Sequence, residues 1–186
     1  MHRILLVFVF ITLFVTACAN NPQVMPQADL AAIELPGTLG QLGTFSTEYE
    51  PGHEGRDTNM MLASDAINNV MIQPGEEFSF NGSVGPTTEK NGYKLAMIYV
   101  DGEKSEGYGG GVCQVSSTLY NAAANAGMTI VERHDHSLPV TYVEAGKEAA
   151  TSYGVKDFRF TNELSYPVVI ESSVCDGTVT VSICTV

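Results

Sequence analysis

The chain has 186 residues, 44% of them hydrophobic, with 21 acidic against 9 basic side chains and a net charge of −12. Nucleic acid and anionic lipid surfaces are therefore poor partners, because neutralising phosphates takes a basic face. Beyond an N-terminal leader about 150 residues remain, the usual size of one domain with its own core.

Arg3 gives a short positive start, and Ile4 to Phe14 is an almost unbroken apolar run of eleven residues. A membrane span takes about 20 such residues, so the run has the size of a signal-peptide core. It ends in Val15-Thr16-Ala17-Cys18, which resembles the lipobox of bacterial lipoproteins. That resemblance implies cleavage before Cys18, lipidation of its thiol and a domain held outside the cytoplasm on a membrane anchor. The expected organisation is a signal peptide over 1–17, a lipidated cysteine and Pro/Asn/Gln-rich tether over 18–37, and one domain over 38–186.

Leu39 to Tyr49 carries β-type residues and reads as a strand. Asp57 or Thr58 can cap a helix running to about Asn69, with Met60, Ala63, Ile67 and Val70 on its apolar face. Pro74-Gly75 makes a turn, Phe78 to Phe80 a short strand and Gly92 to Val100 a further strand. Lys104 to Gly111 reads as a loop. The clearest helix runs from about Val112 to Ala126, with Val115, Leu119, Ala122 and Ala126 in one stripe and Gly127 at its stop. Strands are expected at Met128–Glu132, Val140–Val143, Ala149–Tyr153, Asp157–Thr161, Pro167–Val174 and Thr178–Val186. The fold class is α+β: two main helices packed on a largely antiparallel sheet, with a strand-rich C-terminal half.

Four cysteines are present. Cys175 and Cys184 invite a disulfide in an oxidising compartment, but Asp176-Gly177 reads as a two-residue hairpin turn. That register sets Cys175 opposite Thr178 and Cys184 opposite Val169, on the order of 20 Å apart at strand rise. A bridge needs Cα atoms within about 7 Å, so both are expected to be reduced packing residues. With Cys18 lipidated, Cys113 is left unpaired.

Cys113 stands at the start of the clearest helix, behind Gly109, Gly110 and Gly111. Helix N-termini favour a thiolate over a thiol. Glycines let a substrate backbone approach closely and leave N–H groups for an oxyanion hole. Gln114 adds an amide donor, and Ser116, Ser117 and Thr118 continue a polar face. The blander alternative is a cysteine that is a small buried hydrophobe. A base is offered by Arg133-His134-Asp135-His136-Ser137, where either histidine can return towards the helix start. The order resembles papain-like cysteine enzymes, with a nucleophile on a helix N-terminus and a histidine on a later strand. Cys113, His134 and His136 with Asp135 or Glu132 are also a possible zinc set. Against it, there is no second cysteine pair and no H-E-x-x-H. The reading adopted calls for no metal and no cofactor.

The segments Pro74 to Asn81, Val84-Gly85, Gly92-Tyr93, Gly109 to Ala122, Glu132-Arg133, His136-Ser137 and Tyr142 strongly resemble the VanW family. Arg56 and Asn59 fit its N-terminal pattern, and Asp157-Phe158 with Phe160 and Asn162 fits its end. The resemblance spans roughly Arg56 to Ile183. It implies a bacterial cell-envelope protein and, for some members, L,D-transpeptidation of peptidoglycan with the motif cysteine, here Cys113, as nucleophile. His136 matches the pattern and is preferred over His134 as base. Arg133 matches too, as a holder of a substrate carboxylate. The family usually has Gly-x-Asp-Ala-Thr where this chain reads Gly146-Lys147-Glu148-Ala149-Ala150. Glu148 and Asp157 are thus alternative carboxylates to orient the histidine. The expected function is a Cys113 thioester acyl-transferase acting on peptidoglycan stem peptides. The alternative is a non-catalytic peptidoglycan- or partner-binding lipoprotein, accessory to glycopeptide resistance or wall maintenance.

Overall fold

The computed structural model describes residues 40–100 and 102–186. The expected signal peptide, Cys18 and the tether to residue 37 lie outside the described residues. In chain order the elements are β1 (Gln41–Glu48), α1 (Glu54–Ile67), β2 (Met71–Ile72), β3 (Glu77–Ser79), α2 (Phe80–Val84), a 3₁₀ turn (Glu89–Asn91), β4 (Leu95–Val100) and β5 (Glu103–Tyr108). They continue as α3 (Val112–Asn125), β6 (Thr129–Glu132), β7 (Arg159–Thr161), β8 (Val168–Cys175) and β9 (Thr178–Thr185).

The α+β class holds, with all strand pairs antiparallel. The expected sheet is divided into three: β1-β9-β8-β2, β3-β7-β6 and the hairpin β4-β5. The turn at Asp176-Gly177, with φ of 48° and 78°, has the left-handed backbone that a two-residue hairpin requires. It sets Cys175 opposite Thr178 and Cys184 opposite Val169, so no disulfide joins the two cysteines.

Alternation puts one face of the large sheet indoors. Val179, Val181, Ile183 and Ile170 are fully buried, each worth roughly 1.5–3 kcal/mol relative to exposure. Both long helices cover that face. Thr47 of β1 hydrogen-bonds Thr118 of α3 at 2.8 Å, and Ser172 of β8 meets Ser64 of α1 at 2.6 Å. Gly43 lets α3 lie close: a Cβ there would stand 2.3 Å from the Ala126 nitrogen. The second sheet carries the aromatic part of the core, with Phe78 and Phe160 rings 5.1 Å apart and Phe158 and Phe160 5.7 Å apart.

Four sequence expectations are corrected. Helix α1 starts a turn before the expected cap; Asp57 lies in its first turn and accepts from the Gly52 N–H at 2.8 Å. Residues 104–111 do not form one loop: most belong to β5, whose largely exposed side chains carry no apolar alternation and whose register comes from backbone pairing with β4. Val140–Val143 and Ala149–Tyr153 are not strands. The latter run bonds to helix side chains instead of a ladder: Ser116 Oγ donates to the Ala149 carbonyl at 2.6 Å, and the Ala149 N–H donates to Ser117 Oγ at 2.9 Å. Helix α2, which had no periodic signal, is capped by Ser79 Oγ accepting from Gly82 N–H at 2.8 Å.

Candidate active site at Cys113

The glycine run is packed by the protein's own chain. Gly109 and Gly111 have φ of 89° and 104°, a region costly for residues with a Cβ. A Cβ on Gly110 would lie 2.4 Å from the Met97 carbonyl oxygen, and one on Gly111 would lie 2.9 Å from Met60 Cγ. Buried Asn59 ties the run down, donating to the Gly110 carbonyl at 3.0 Å and accepting from the Lys94 N–H at 2.7 Å. A side chain is thus excluded at Gly110 and Gly111, while the backbone of all three glycines lines the cavity beside Cys113. The N–H groups of Val112 and Gln114 are spent on the carbonyls of Gly109 and Gly111. Among the donors expected for an oxyanion, the N–H groups of Gly111 and Cys113 are the ones this geometry leaves unspent.

Gln114 is likewise not a free donor. Its side chain is 1% exposed; it donates to Thr47 Oγ1 and the Glu48 carbonyl and accepts from the Arg56 guanidinium. Ser116, Ser117 and Thr118 are fully buried and stitch α3 to its neighbours, where a polar face was expected. Their hydroxyls find partners because an unpaired buried hydroxyl is costly.

Cys113 is half-buried in the first turn of α3. Its thiol faces Thr151, whose N–H donates to Sγ at 3.5 Å and whose carbonyl accepts from it at 3.4 Å. The Thr151 hydroxyl stands 3.8 Å away. Cys113 opens on a cavity of about 260 Å³ lined also by Arg56, Gln114, His136, Tyr142 and Thr151. An adjoining groove of about 650 Å³ shares Arg56, Gln114, Tyr142 and Met97 and adds Glu48, Glu50 and Glu54.

The two histidines part company. His134 Nε2 pairs with Glu132 Oε1 at 2.7 Å, and this bond, with the Asp157 N–H, holds the Glu132 carboxyl below its ordinary value. His136 lines the cavity. Its Nε2 stands 3.4 Å from Tyr142 Oη, with the rings edge to face. His136 and Cys113 do not hydrogen-bond each other. Burial pushes the His136 pKa down, opposed by the Glu148 charge, so the ring stays neutral near pH 7. Burial, then the charge of Cys113, holds the Tyr142 phenol well above its ordinary range.

Arg133 is committed elsewhere. It donates to the Glu148 carbonyl at 2.6 Å, pairs with Asp135 at 2.7 Å and lies over the Tyr120 ring at 5.3 Å. The expectation that it holds a substrate carboxylate is corrected; Arg56 is the guanidinium at the cavity wall. Asp157 is structural: it accepts from Ser79 Oγ at 2.6 Å and from the N–H groups of Asn81 and Phe158 at 2.8 Å each. Among the described residues no three His, Cys, Asp or Glu side chains gather at a metal-binding spacing.

The family model described as VanW like protein matches residues 55–184, the span that holds every element of this cavity. The chain belongs to the VanW family. It is 44% identical over 143 residues to the uncharacterised protein YoaR of Bacillus subtilis (strain 168), covering 77% of this chain and 47% of YoaR. It is 30% identical over 115 residues to the vancomycin B-type resistance protein VanW of Enterococcus faecalis (strain ATCC 700802 / V583), covering 59% of this chain and 42% of that protein. The chain thus spans less than half the length of these relatives. No solved structure matches it.

Two residues of this VanW-family cavity were not singled out as site residues from the sequence. Tyr142 belongs to the family motif, and nothing local in the sequence marks its contact with His136. Thr151 falls within a predicted strand; its signal is Ala150, where the family pattern has threonine and this chain carries its hydroxyl one residue later.

Proposed function

We propose that this domain is a cell-envelope cysteine acyl-transferase that acts on peptidoglycan stem peptides in the manner of an L,D-transpeptidase. The observation that carries the reading is the shared cavity of Cys113 and His136, in which one side chain is a nucleophile and the other a base held neutral by burial. The Cys113 thiol gives its proton to His136, and sulfur attacks the carbonyl before the terminal D-alanine. The Cys113 N–H supports the oxyanion. The C–N bond breaks as His136 returns the proton to the departing amine, leaving a thioester. An amine of a neighbouring stem then attacks the thioester, His136 takes its proton, and the sulfur leaves and is reprotonated. Arg56, at the junction of cavity and groove, suits a carboxylate of the donor peptide. A lipid anchor on Cys18 would keep the domain beside this substrate, outside the cytoplasm.

The test is incubation of the purified protein with disaccharide-tetrapeptide, followed by mass spectrometry. Cross-linked dimer and an acyl adduct on Cys113 are expected; folded protein yielding neither defeats the reading.

A second reading draws on the lack of a hydrogen bond between Cys113 and His136. On it the domain binds peptidoglycan through the groove without chemistry, as an accessory to glycopeptide resistance, the setting named for the enterococcal relative. It expects Cys113→Ala to leave peptidoglycan binding unchanged and no adduct to form.

A further inference from the structure

Four carboxylates lie near the histidine segment, and three are spent. Glu132 takes His134 at 2.7 Å and the Asp157 N–H at 2.9 Å. Asp157 takes one hydroxyl and two backbone N–H groups. Asp135 pairs with Arg133 at 2.7 Å and is 65% exposed. Glu148 differs: its Oε2 is buried without a hydrogen-bond partner, and so is Nδ1 of His136.

Both residues line one small cavity of about 210 Å³, whose other walls include Leu138, Pro139, Val140 and Val143. In such apolar surroundings a buried ring nitrogen and a buried carboxylate oxygen are each costly alone, and satisfy one another when paired. Resting on the acyl-transfer reading above, we propose that Glu148 is the positioning residue of His136, its carboxylate accepting the Nδ1–H directly or through one bridging water. Nε2 is then the unprotonated nitrogen, turned to Tyr142 and the Cys113 cavity.

The neighbouring geometry fits that tautomer. The Tyr142 phenol, held neutral, has a hydroxyl proton to offer Nε2 across 3.4 Å. Of the charges acting on the His136 ring, Glu148 is the largest, followed by Lys156 and Asp135. Cys113 lies across the larger cavity. Glu148 sits where the family pattern has aspartate, and its extra methylene lengthens the reach of the carboxylate towards the ring. The Arg133 guanidinium fixes the backbone of the same residue through the Glu148 carbonyl.

The test is ring-nitrogen NMR of His136 in the purified full-length protein, with Glu148→Gln and Glu148→Asp alongside. Wild type is expected to show the Nδ1–H tautomer. Glu148→Gln should lower the His136 titration midpoint by about half a unit or more, because a negative charge that favours imidazolium is gone. Glu148→Asp should recover part of that shift. An Nε2–H tautomer in wild type overturns the proposal even if Glu148→Gln does not fold. An unmoved midpoint and tautomer in folded Glu148→Gln overturns it as well. These readouts need no substrate: a coupled His136 in a protein that forms no Cys113 adduct would defeat the acyl-transfer reading and leave the Glu148–His136 pairing standing.

Discussion

The main chain of Thr151 brackets the sulfur of Cys113, its N–H donating at 3.5 Å and its carbonyl accepting at 3.4 Å. The N–H is a donor that favours the thiolate, and the carbonyl is an acceptor that holds the thiol; both come from a segment with no ladder of its own. Thr151→Val keeps that main chain and removes only the hydroxyl, so the rate of Cys113 acylation should stay within about threefold of wild type. Thr151→Pro removes the N–H and should cost on the order of tenfold or more, a charge-assisted hydrogen bond being worth about 1.5–3 kcal/mol. Single-turnover mass spectrometry measures both, with circular dichroism as the check on folding.

Gly110 is one of the positions where packing forbids a side chain. Gly110→Ala drives a Cβ to 2.4 Å from the Met97 oxygen and 2.8 Å from Ala96 Cβ. It should lower the unfolding free energy by about 1–3 kcal/mol, the range for overpacking. Val155→Ala, at a residue 77% exposed, is the control and should change stability by no more than about 0.5 kcal/mol. Urea unfolding of the two variants checks this.

The folded-state pKa of His136 is depressed by burial. Between that value and the ordinary value of about 6.5, the unfolded chain binds the proton and the folded one does not. Stability is therefore fully present above pH 6.5 or so and falls as pH drops through this window. His136→Phe should flatten that part of the stability profile. The depressed carboxyl of Glu132 acts lower: its contribution is present above its unfolded value and lost as pH falls through the folded one. Glu132→Gln should remove that acid-side loss and leave the His136 window. Denaturant midpoints from pH 7 to 3 separate the two.

The two arginines should separate binding from folding. Arg56 lines both the Cys113 cavity and the groove, so Arg56→Lys should raise KM for a carboxylate-bearing donor by about tenfold, a lysine lacking the bidentate fork. Arg133 holds the Glu148 carbonyl and Asp135; Arg133→Lys should lower the thermal midpoint with a smaller effect on KM. Steady-state kinetics and thermal melts on the same preparations decide.

Local signals in the sequence determined the parts of this protein that depend on neighbours a few residues away. The β8–β9 hairpin and its register followed from Asp176-Gly177, and with it the separation of Cys175 from Cys184. Helix α3 followed from its apolar stripe and the glycine after it, and with it the place of Cys113 in the first turn. The tertiary structure alone decided the rest. Hairpin strand β5 carries no apolar period, since pairing and not burial holds it. The segment around Ala149 looks like a strand in sequence but bonds to Ser116 and Ser117 of α3. Which of His134 and His136 reaches the cavity turned on the path of the chain past Cys113, with His134 taken by Glu132 two residues away. Which of Asp157 and Glu148 keeps an unspent oxygen turned on partners such as Ser79, far along the chain. Hydrogen-bond saturation is a property of three-dimensional surroundings, and residue type and spacing do not encode it.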